Sequence, residues 1–215
     1  MNPGTVSYRT GHGPVGQNRA AGEGSDRGRA RNEALPKVSR ISHMALRAIF
    51  NQKTARVMYR VGFGIDFHQL SEGRQLWLGG VHIPSDRGAL GHSDADVLIH
   101  AICDALLGAL ALGDIGQHFP NTDAAYKDID SKVLLEKTYH LVKGRGWRVV
   151  NIDSTVTLEA PKIMKYAAEM RGVMASILEV DLEDISIKAT TTERMGFVGR
   201  GEGLVAYATA LLEKR

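Results

Sequence analysis

The chain has 215 residues, of which 43% are hydrophobic, 24% charged and only 6% aromatic. That suffices for one domain of about 150 residues plus a tail, with an ordinary globular composition and a mostly aliphatic core. The lone cysteine, Cys103, excludes a disulfide framework or a thiolate metal cage, and no run approaches the ~18 apolar residues of a membrane span. The net charge of +3 conceals two unlike pieces. Residues 1–58 hold 10 Lys and Arg against 3 Asp and Glu, a balance of +7; the other 157 hold 17 against 21, a balance of −4.

The first piece opens as a tail. Residues 1–31 hold seven of the 24 glycines and lack apolar periodicity, so they cannot bury enough surface to offset the entropy of ordering. Residues 34–58 carry a weak amphipathic pattern (Leu35, Val38, Ile41, Met44, Ala45, Ile49) that allows a short helix. There is no 7–15-residue apolar segment, which argues against a secretory signal. An Arg-rich, acid-poor composition fits an organelle transit peptide, although Ser is sparse; it fits also an extended start before Met58, the reading preferred here.

From residue 59 the chain is densely patterned. Residues 59–67 alternate as a strand. Residues 75–83 place Gly79-Gly80 between two short apolar runs, a two-residue hairpin signal. Residues 93–112 predict a helix with Ser93 as N-cap and Asp96 at capping-box spacing. A second helix is predicted over 131–143, stopped by Gly144 and Gly146. Residues 147–158 alternate as a long strand, and Pro161 is expected to open a third helix ending near Leu178. Residues 184–192 and 203–212 complete the strands. With too few crossovers for a doubly wound fold, this order predicts an α+β two-layer sandwich, a mixed β-sheet with helices on one face. The uncovered face makes a homo-oligomer the expected state.

Chemistry concentrates between Asp66 and His118, where five of the eight histidines fall. Asp66 and His68, two apart on a strand, share a face. Asp96, His100 and Asp104 form an i, i+4, i+8 stripe on an apolar helix. One carboxylate and two imidazoles with a fourth position open is the ligand set of a catalytic zinc site, with Asp96 and Asp104 placed to orient His100; a solvent-facing stripe is the other reading. Gly91-His92-Ser93 and Lys162 are expected at helix N-termini, where amides favour phosphate. Asp114-Ile115-Gly116 and Phe119–Asp123 read as a polar loop, by composition equally ordinary turn chemistry. Glu193, after Thr190-Thr191-Thr192, could hold Mg²⁺ or Mn²⁺ on phosphates, and the glycines that follow allow close backbone approach. Neither a Walker A lysine nor a strand-to-helix G-x-G-x-x-G is present.

Five segments in order, GIDFH at 64–68, GHSDADVLIHAICDALLGALALGDIG at 91–116, FPNTD at 119–123, EAPKI at 159–163 and KATTTERMGFVGRGEG at 188–203, resemble one family. It is 2-C-methyl-D-erythritol 2,4-cyclodiphosphate synthase, of the non-mevalonate isoprenoid pathway, and the resemblance runs from about residue 59 to 212. It implies a lyase that converts 4-diphosphocytidyl-2-C-methyl-D-erythritol 2-phosphate to the cyclic diphosphate and CMP. It implies Zn²⁺ on Asp66, His68 and His100, and Mg²⁺ or Mn²⁺ on Glu193 with the diphosphate. His92 and Ser93 match positions near the methylerythritol phosphate. Asp114, Ile115, Gly116, Phe119, Pro120, Asn121, Thr122 and Asp123 match substrate-contacting segments. Ala160, Lys162, Ile163 and Met164, with Thr190, Thr191 and Thr192, match the cytidine and diphosphate side.

The resemblance further implies a homotrimer with active sites between subunits, and a central cavity where Phe197 and Arg200 meet an isoprenoid diphosphate in some relatives. Asn121 stands where Asp is common, Val198 replaces a frequent Thr, and Glu159 and Ile163 vary the nucleotide loop. Residues 59–215 are the expected catalytic domain and 1–58 a basic extension. No nucleic-acid or membrane partner is expected, and the expected compartment is the bacterial cytoplasm, with a plastid as the alternative. The rival reading is another divalent-metal phosphohydrolase on the same framework.

Overall fold

The computed structural model describes residues 58–214; the short helix read over 34–58 lies outside the described residues except for Met58. Within them a five-stranded sheet runs in the order β4-β1-β7-β5-β6, with β1 Tyr59–Glu72, β4 Arg87–Leu90, β5 Trp147–Thr157, β6 Ile185–Thr190 and β7 Gly203–Lys214. All neighbours are antiparallel except β5 and β6, which makes the sheet mixed, as the α+β reading requires. β2 Leu76–Leu78 and β3 Val81–Ile83 pair as a separate hairpin. Its turn needs positive φ at both central positions, and Gly79 (φ 58°) and Gly80 (φ 76°) supply it.

Helix α1 (Val97–Ala109) packs on β1 and β7 and against α3 (Ser131–Gly144), which touches β5; α4 (Ala167–Leu178) packs on α3 and β6. The core is aliphatic, built from Leu98, Ile99, Ile102, Leu106, Leu135, Ile152, Met170 and Met174, all fully buried. α1 lies unusually close to β1. A Cβ on Gly62 would fall 1.9 Å from the Ala105 carbonyl oxygen, and one on Gly64 2.0 Å from that of Ala101. The missing side chains at 62 and 64 therefore set the helix-to-sheet spacing. By the period of two, Asp66 and His68 continue along that helix-facing row.

Among the described residues the opposite face of β1 is largely uncovered. Val61 is 66%, Phe63 61% and Phe67 51% exposed, and Ile65 and Tyr207 pair beside them. Such a contiguous apolar surface marks an interaction face rather than scattered surface residues.

Several boundaries differ from expectation. α1 starts at Val97 with Asp96 as its N-cap, so Ser93 lies in the loop before it. The Asp96 carboxylate accepts the amides of Leu98 and Ile99 and also those of Gly79 and Gly80 at 3.0 and 2.6 Å. A buried carboxylate serving a helix end and a hairpin turn at once outcompetes the serine. Pro161 follows a cis peptide bond and opens no helix; a 3₁₀ turn at Met164–Tyr166 precedes α4. β1 extends to Glu72 because it gains β4 as a partner, a strand too short to read from pattern. The glycine-rich stretch after residue 193 holds a single helical turn, α5 (Gly196–Gly199).

Candidate active site and metal centre

β1 and α1 bring together the one cluster of metal-ligating side chains found among the described residues: Asp66, His68 and His100, each half-buried. Asp66 Oδ2 lies 3.1 Å from His68 Nε2 and 3.0 Å from His100 Nδ1, and the two nitrogens are 3.3 Å apart. Four-coordinate zinc with bonds of about 2.0–2.2 Å separates neighbouring ligand atoms by roughly 3.3–3.6 Å. The observed triangle comes within about 0.3 Å of one face of that tetrahedron.

Each imidazole is held from its far nitrogen. His68 Nδ1 donates to the Leu90 carbonyl at 3.0 Å, which in the neutral ring makes Nε2 the lone pair available to an ion. His100 Nε2 lies 2.9 Å from Ser131 Oγ and 3.3 Å from Ser93 Oγ, with Nδ1 facing Asp66. Burial opposes the charge on Asp66, but hydrogen bonds from His100 and His68 prevail and hold its carboxyl well below the usual range. Burial likewise disfavours charge on His100, and the Asp66 hydrogen bond and charge overcome it, raising His100 above its ordinary value.

The helical stripe works differently from the sequence expectation. Asp96 caps α1 and ties the hairpin, as above. Asp104 Oδ1 accepts the Ile115 amide at 2.7 Å, so it fixes the start of the single-turn helix α2 (Ile115–His118). The carboxyls that surround His100 are Asp66 directly and Asp94 through Ser131; neither Asp96 nor Asp104 bonds its ring.

A cavity of about 440 Å³ opens beside the triangle, lined by His68, His92, Ser93, His100, Ile115, Gly116, Phe119, Pro120, Asn121 and Thr122. These predicted residues converge. Tyr126, Ile129 and Leu134 also line it and were not anticipated, having no chemistry that stands out in sequence. Asp114 caps α2 through the Gln117 amide and Asp123 bonds the Ala125 amide, so both shape the loop from its ends. His92 and Ser93 stand in a loop rather than at a helix N-terminus. The Asp94 amide donates to the Ile129 carbonyl and the Asp128 amide to the His92 carbonyl, which stitches that loop to the far rim.

The remaining predicted residues lie elsewhere. Ala160 lines a second cavity with Glu159, Pro161, Arg74, His82 and Arg87. Lys162 is exposed and precedes the helix by several residues; Ile163 is buried in the core and Met164 exposed. Glu159 Oε1 accepts the Thr192 amide (2.9 Å), Thr192 Oγ1 (3.1 Å) and the Arg194 amide (3.4 Å). It joins the 159–164 loop to the 190–194 segment, a role no local signal announces. Thr190 is exposed and Thr191 Oγ1 donates to Glu193 at 3.0 Å; Glu193 adopts φ 52° and stands exposed, apart from the triangle's cluster. Phe197 packs on Phe67 at 6.2 Å between ring centroids, and Arg200 is held by Glu202 through two bonds of 2.7 and 2.9 Å.

The family model described as the YgbB family matches residues 59–213. This chain belongs to the YgbB family. Two curated family relatives named 2-C-methyl-D-erythritol 2,4-cyclodiphosphate synthase are each 59% identical over 155 residues. The one from Bacteroides thetaiotaomicron is covered over 98% of its length and the one from Chloroherpeton thalassium over 99%, in both cases by 72% of this chain. Among solved structures, a 2C-methyl-D-erythritol-2,4-cyclodiphosphate synthase in its CDP-bound form is 37% identical with a TM-score of 0.67, covering 71% of this chain and 99% of that one. The Plasmodium falciparum IspF CDP complex is 31% identical with a TM-score of 0.65, over 73% of this chain and 97% of that one. The bifunctional IspDF from Campylobacter jejuni is 40% identical with a TM-score of 0.72, and this chain (74% covered) spans 43% of it. The YgbB match begins at Tyr59, where the densely patterned part of the sequence begins.

Among the described residues no helix is long and apolar enough to cross a membrane.

Proposed function

We propose that this chain converts 4-diphosphocytidyl-2-C-methyl-D-erythritol 2-phosphate to 2-C-methyl-D-erythritol 2,4-cyclodiphosphate and CMP. The observation that carries the reading is the Asp66–His68–His100 triangle beside a cavity lined by His92, Ser93 and the FPNT segment, in a chain of this family. In the reaction a 2-phosphate oxygen forms a bond to the β-phosphorus, and the bond from that phosphorus to the oxygen bridging to the α-phosphorus breaks, so CMP leaves with the electron pair. The nucleophile is already anionic, so the site needs positioning and charge stabilisation rather than a dedicated base.

Asp66, His68 and His100 would hold zinc, and Glu193 would hold Mg²⁺ or Mn²⁺ with the diphosphate. Bound divalent ions supply Lewis-acid stabilisation of charge on phosphoryl oxygens. His92 and Ser93 orient the phosphate on the methylerythritol side, with Ile115, Gly116 and Phe119–Thr122 closing around the polyol. Lys162, Thr191 and Thr192 hold the diphosphate, and Ala160, Ile163 and Met164 take the cytidine.

In one chain the two imidazoles of the triangle and residues 159–161 line different cavities, and β1 and β7 leave an apolar face largely uncovered among the described residues. Both features favour a homotrimer whose active sites combine residues of two copies, with Phe197 and Arg200 near an enclosed cavity suited to an isoprenoid diphosphate. The catalytic domain is taken as residues 59–215, following a basic extension, and the compartment as the bacterial cytoplasm, in keeping with the bacterial relatives.

The test is CMP release from the named substrate, with phosphorus NMR of the other product. A cyclic diphosphate, lost on adding a chelator and absent in His100→Ala, is expected. Orthophosphate would assign a phosphohydrolase instead, and near-normal CMP release by His100→Ala would overturn the metal assignment. Sedimentation of the full chain should give three copies, and Phe63→Asp should yield monomers.

A further inference from the structure

The His100 ring is anchored by a two-step hydrogen-bonded chain that reaches a different part of the sequence. His100 Nε2 lies 2.9 Å from Ser131 Oγ. Ser131 Oγ donates to Asp94 Oδ1 at 2.5 Å, and the Ser131 amide donates to Asp94 Oδ2 at 3.0 Å. Ser131 is the first residue of α3 and is fully buried. Asp94 is itself fixed, because its amide donates to the Ile129 carbonyl at 3.1 Å.

The donor inventory sets the direction of the chain. A carboxylate accepts only, and a serine hydroxyl has one proton. Ser131 gives that proton to Asp94 and keeps lone pairs toward His100, so His100 Nε2 must be the donor. A neutral imidazole carries one ring proton; placing it on Nε2 leaves the Nδ1 lone pair facing Asp66 Oδ2 and His68 Nε2. Ser93 Oγ is a poorer partner for the same nitrogen, at 3.3 Å and already accepting the Ala95 amide. His68 achieves the same outcome with a backbone carbonyl; His100 does it through a side-chain pair 37 residues apart in sequence.

We infer that Ser131 and Asp94 are positioning residues of the metal centre, which lock the Nε2–H form of His100 and aim its Nδ1 at the ion. The inference rests on the reading of Asp66, His68 and His100 as the zinc ligands. A merely structural role would be to tie the start of α3 to the 91–94 loop, which would change the stability of the metal-free protein and leave zinc affinity alone.

The experiment measures zinc affinity by competition with a chromophoric chelator, on the full chain and on Ser131→Ala, Asp94→Asn and His100→Ala, with urea midpoints of the metal-free forms alongside. Ser131→Ala keeps its amide bond to Asp94 and loses only the hydroxyl. Partners of this kind typically contribute about 10–100-fold in metal affinity. A loss of about fivefold or more in Ser131→Ala supports the inference, and a smaller loss overturns it. Should Ser131→Ala fail to fold, the same threshold applies to Asp94→Asn. If the unaltered chain binds no zinc, or His100→Ala binds as tightly as the parent, the ligand assignment falls. If those two controls behave and Ser131→Ala matches the parent, only the relay falls.

Discussion

Gly64→Ala tests whether the contact between β1 and α1 sets the metal site. The added methyl would lie 2.0 Å from the Ala101 carbonyl oxygen, 2.7 Å from the Ala105 amide nitrogen and 2.9 Å from Asp104 Cβ. Real Cβ contacts essentially never fall below 3.0 Å, so strand and helix must separate locally by at least about 1 Å. The obstacles are largely helix backbone rather than the end of a flexible side chain, which puts the cost toward the upper part of the overpacking range, about 3 kcal/mol. Asp66 lies two residues along the same strand row and His100 is the neighbour of Ala101. An opening of that size would carry His100 Nδ1 from 3.0 Å to roughly 4 Å from Asp66 Oδ2, beyond the ~3.3–3.6 Å edge of a tetrahedral zinc site. Zinc affinity should fall at least about tenfold, and turnover about 10²-fold, the penalty usual for a displacement of this size. Urea unfolding of the metal-free chain and chelator competition measure the two effects. Gly172→Ala is the control: it lies inside α4 with no atom within 4 Å of the new methyl and should stabilise by about 0.5–1 kcal/mol. A Gly64→Ala protein as stable as the parent, with the same zinc affinity, would refute the reasoning.

Asp96→Ala should destabilise by about 3 kcal/mol or more in urea, because it removes a helix cap and leaves the Gly79 and Gly80 amides without their acceptor; a change below about 1 kcal/mol would contradict the dual role. Cys103 is fully buried and burial pushes its thiol up to about 12. A thiol reagent at pH 8 should therefore find no reactive group in the native protein and one after unfolding. The Asp66–His100 pair gives the metal-free protein a defined pH response. His100 is raised from 6.5, so its contribution is complete below that value and lost as pH rises through the raised one; Asp66 is lowered from 3.8, so its contribution is present above 3.8 and lost as pH falls through the lowered one. Metal-free stability should thus decline above about pH 6.5 relative to Asp66→Asn, as read from thermal midpoints. Zinc affinity should rise over the same interval, because the ion competes with the His100 proton.

Features whose partners are near in sequence could be read before the fold was known. The Gly79-Gly80 turn, the amphipathic run ending at Gly144 and the alternation of β5 depend on neighbours a few residues away. Asp66 and His68 were placed on one face by the period of two alone. The misreadings share a different cause, a partner brought in by the fold. Ser93 has good cap chemistry and loses the position to Asp96, whose carboxylate also serves a hairpin turn 16 or 17 residues earlier. β4 and the far end of β1 form only as a pair, with paired positions 15 or more residues apart in sequence. Glu159 reads as a mere variation in a loop until Thr192 and Arg194 arrive at its oxygen.

The same distinction explains how an acidic domain can be fitted to a polyanionic substrate. Residues 59–215 carry a balance of −4, which by composition argues against a phosphate-binding surface. The structure shows how that charge is distributed. Asp96 and Asp104 are turned inward onto backbone amides, Asp66 faces two imidazoles, and Asp94 meets Ser131. Those carboxylates have partners within the site and do not line its cavity, where the lining is imidazole, hydroxyl, carboxamide, backbone and apolar side chain. Under the proposed function the positive charge arrives with the ions.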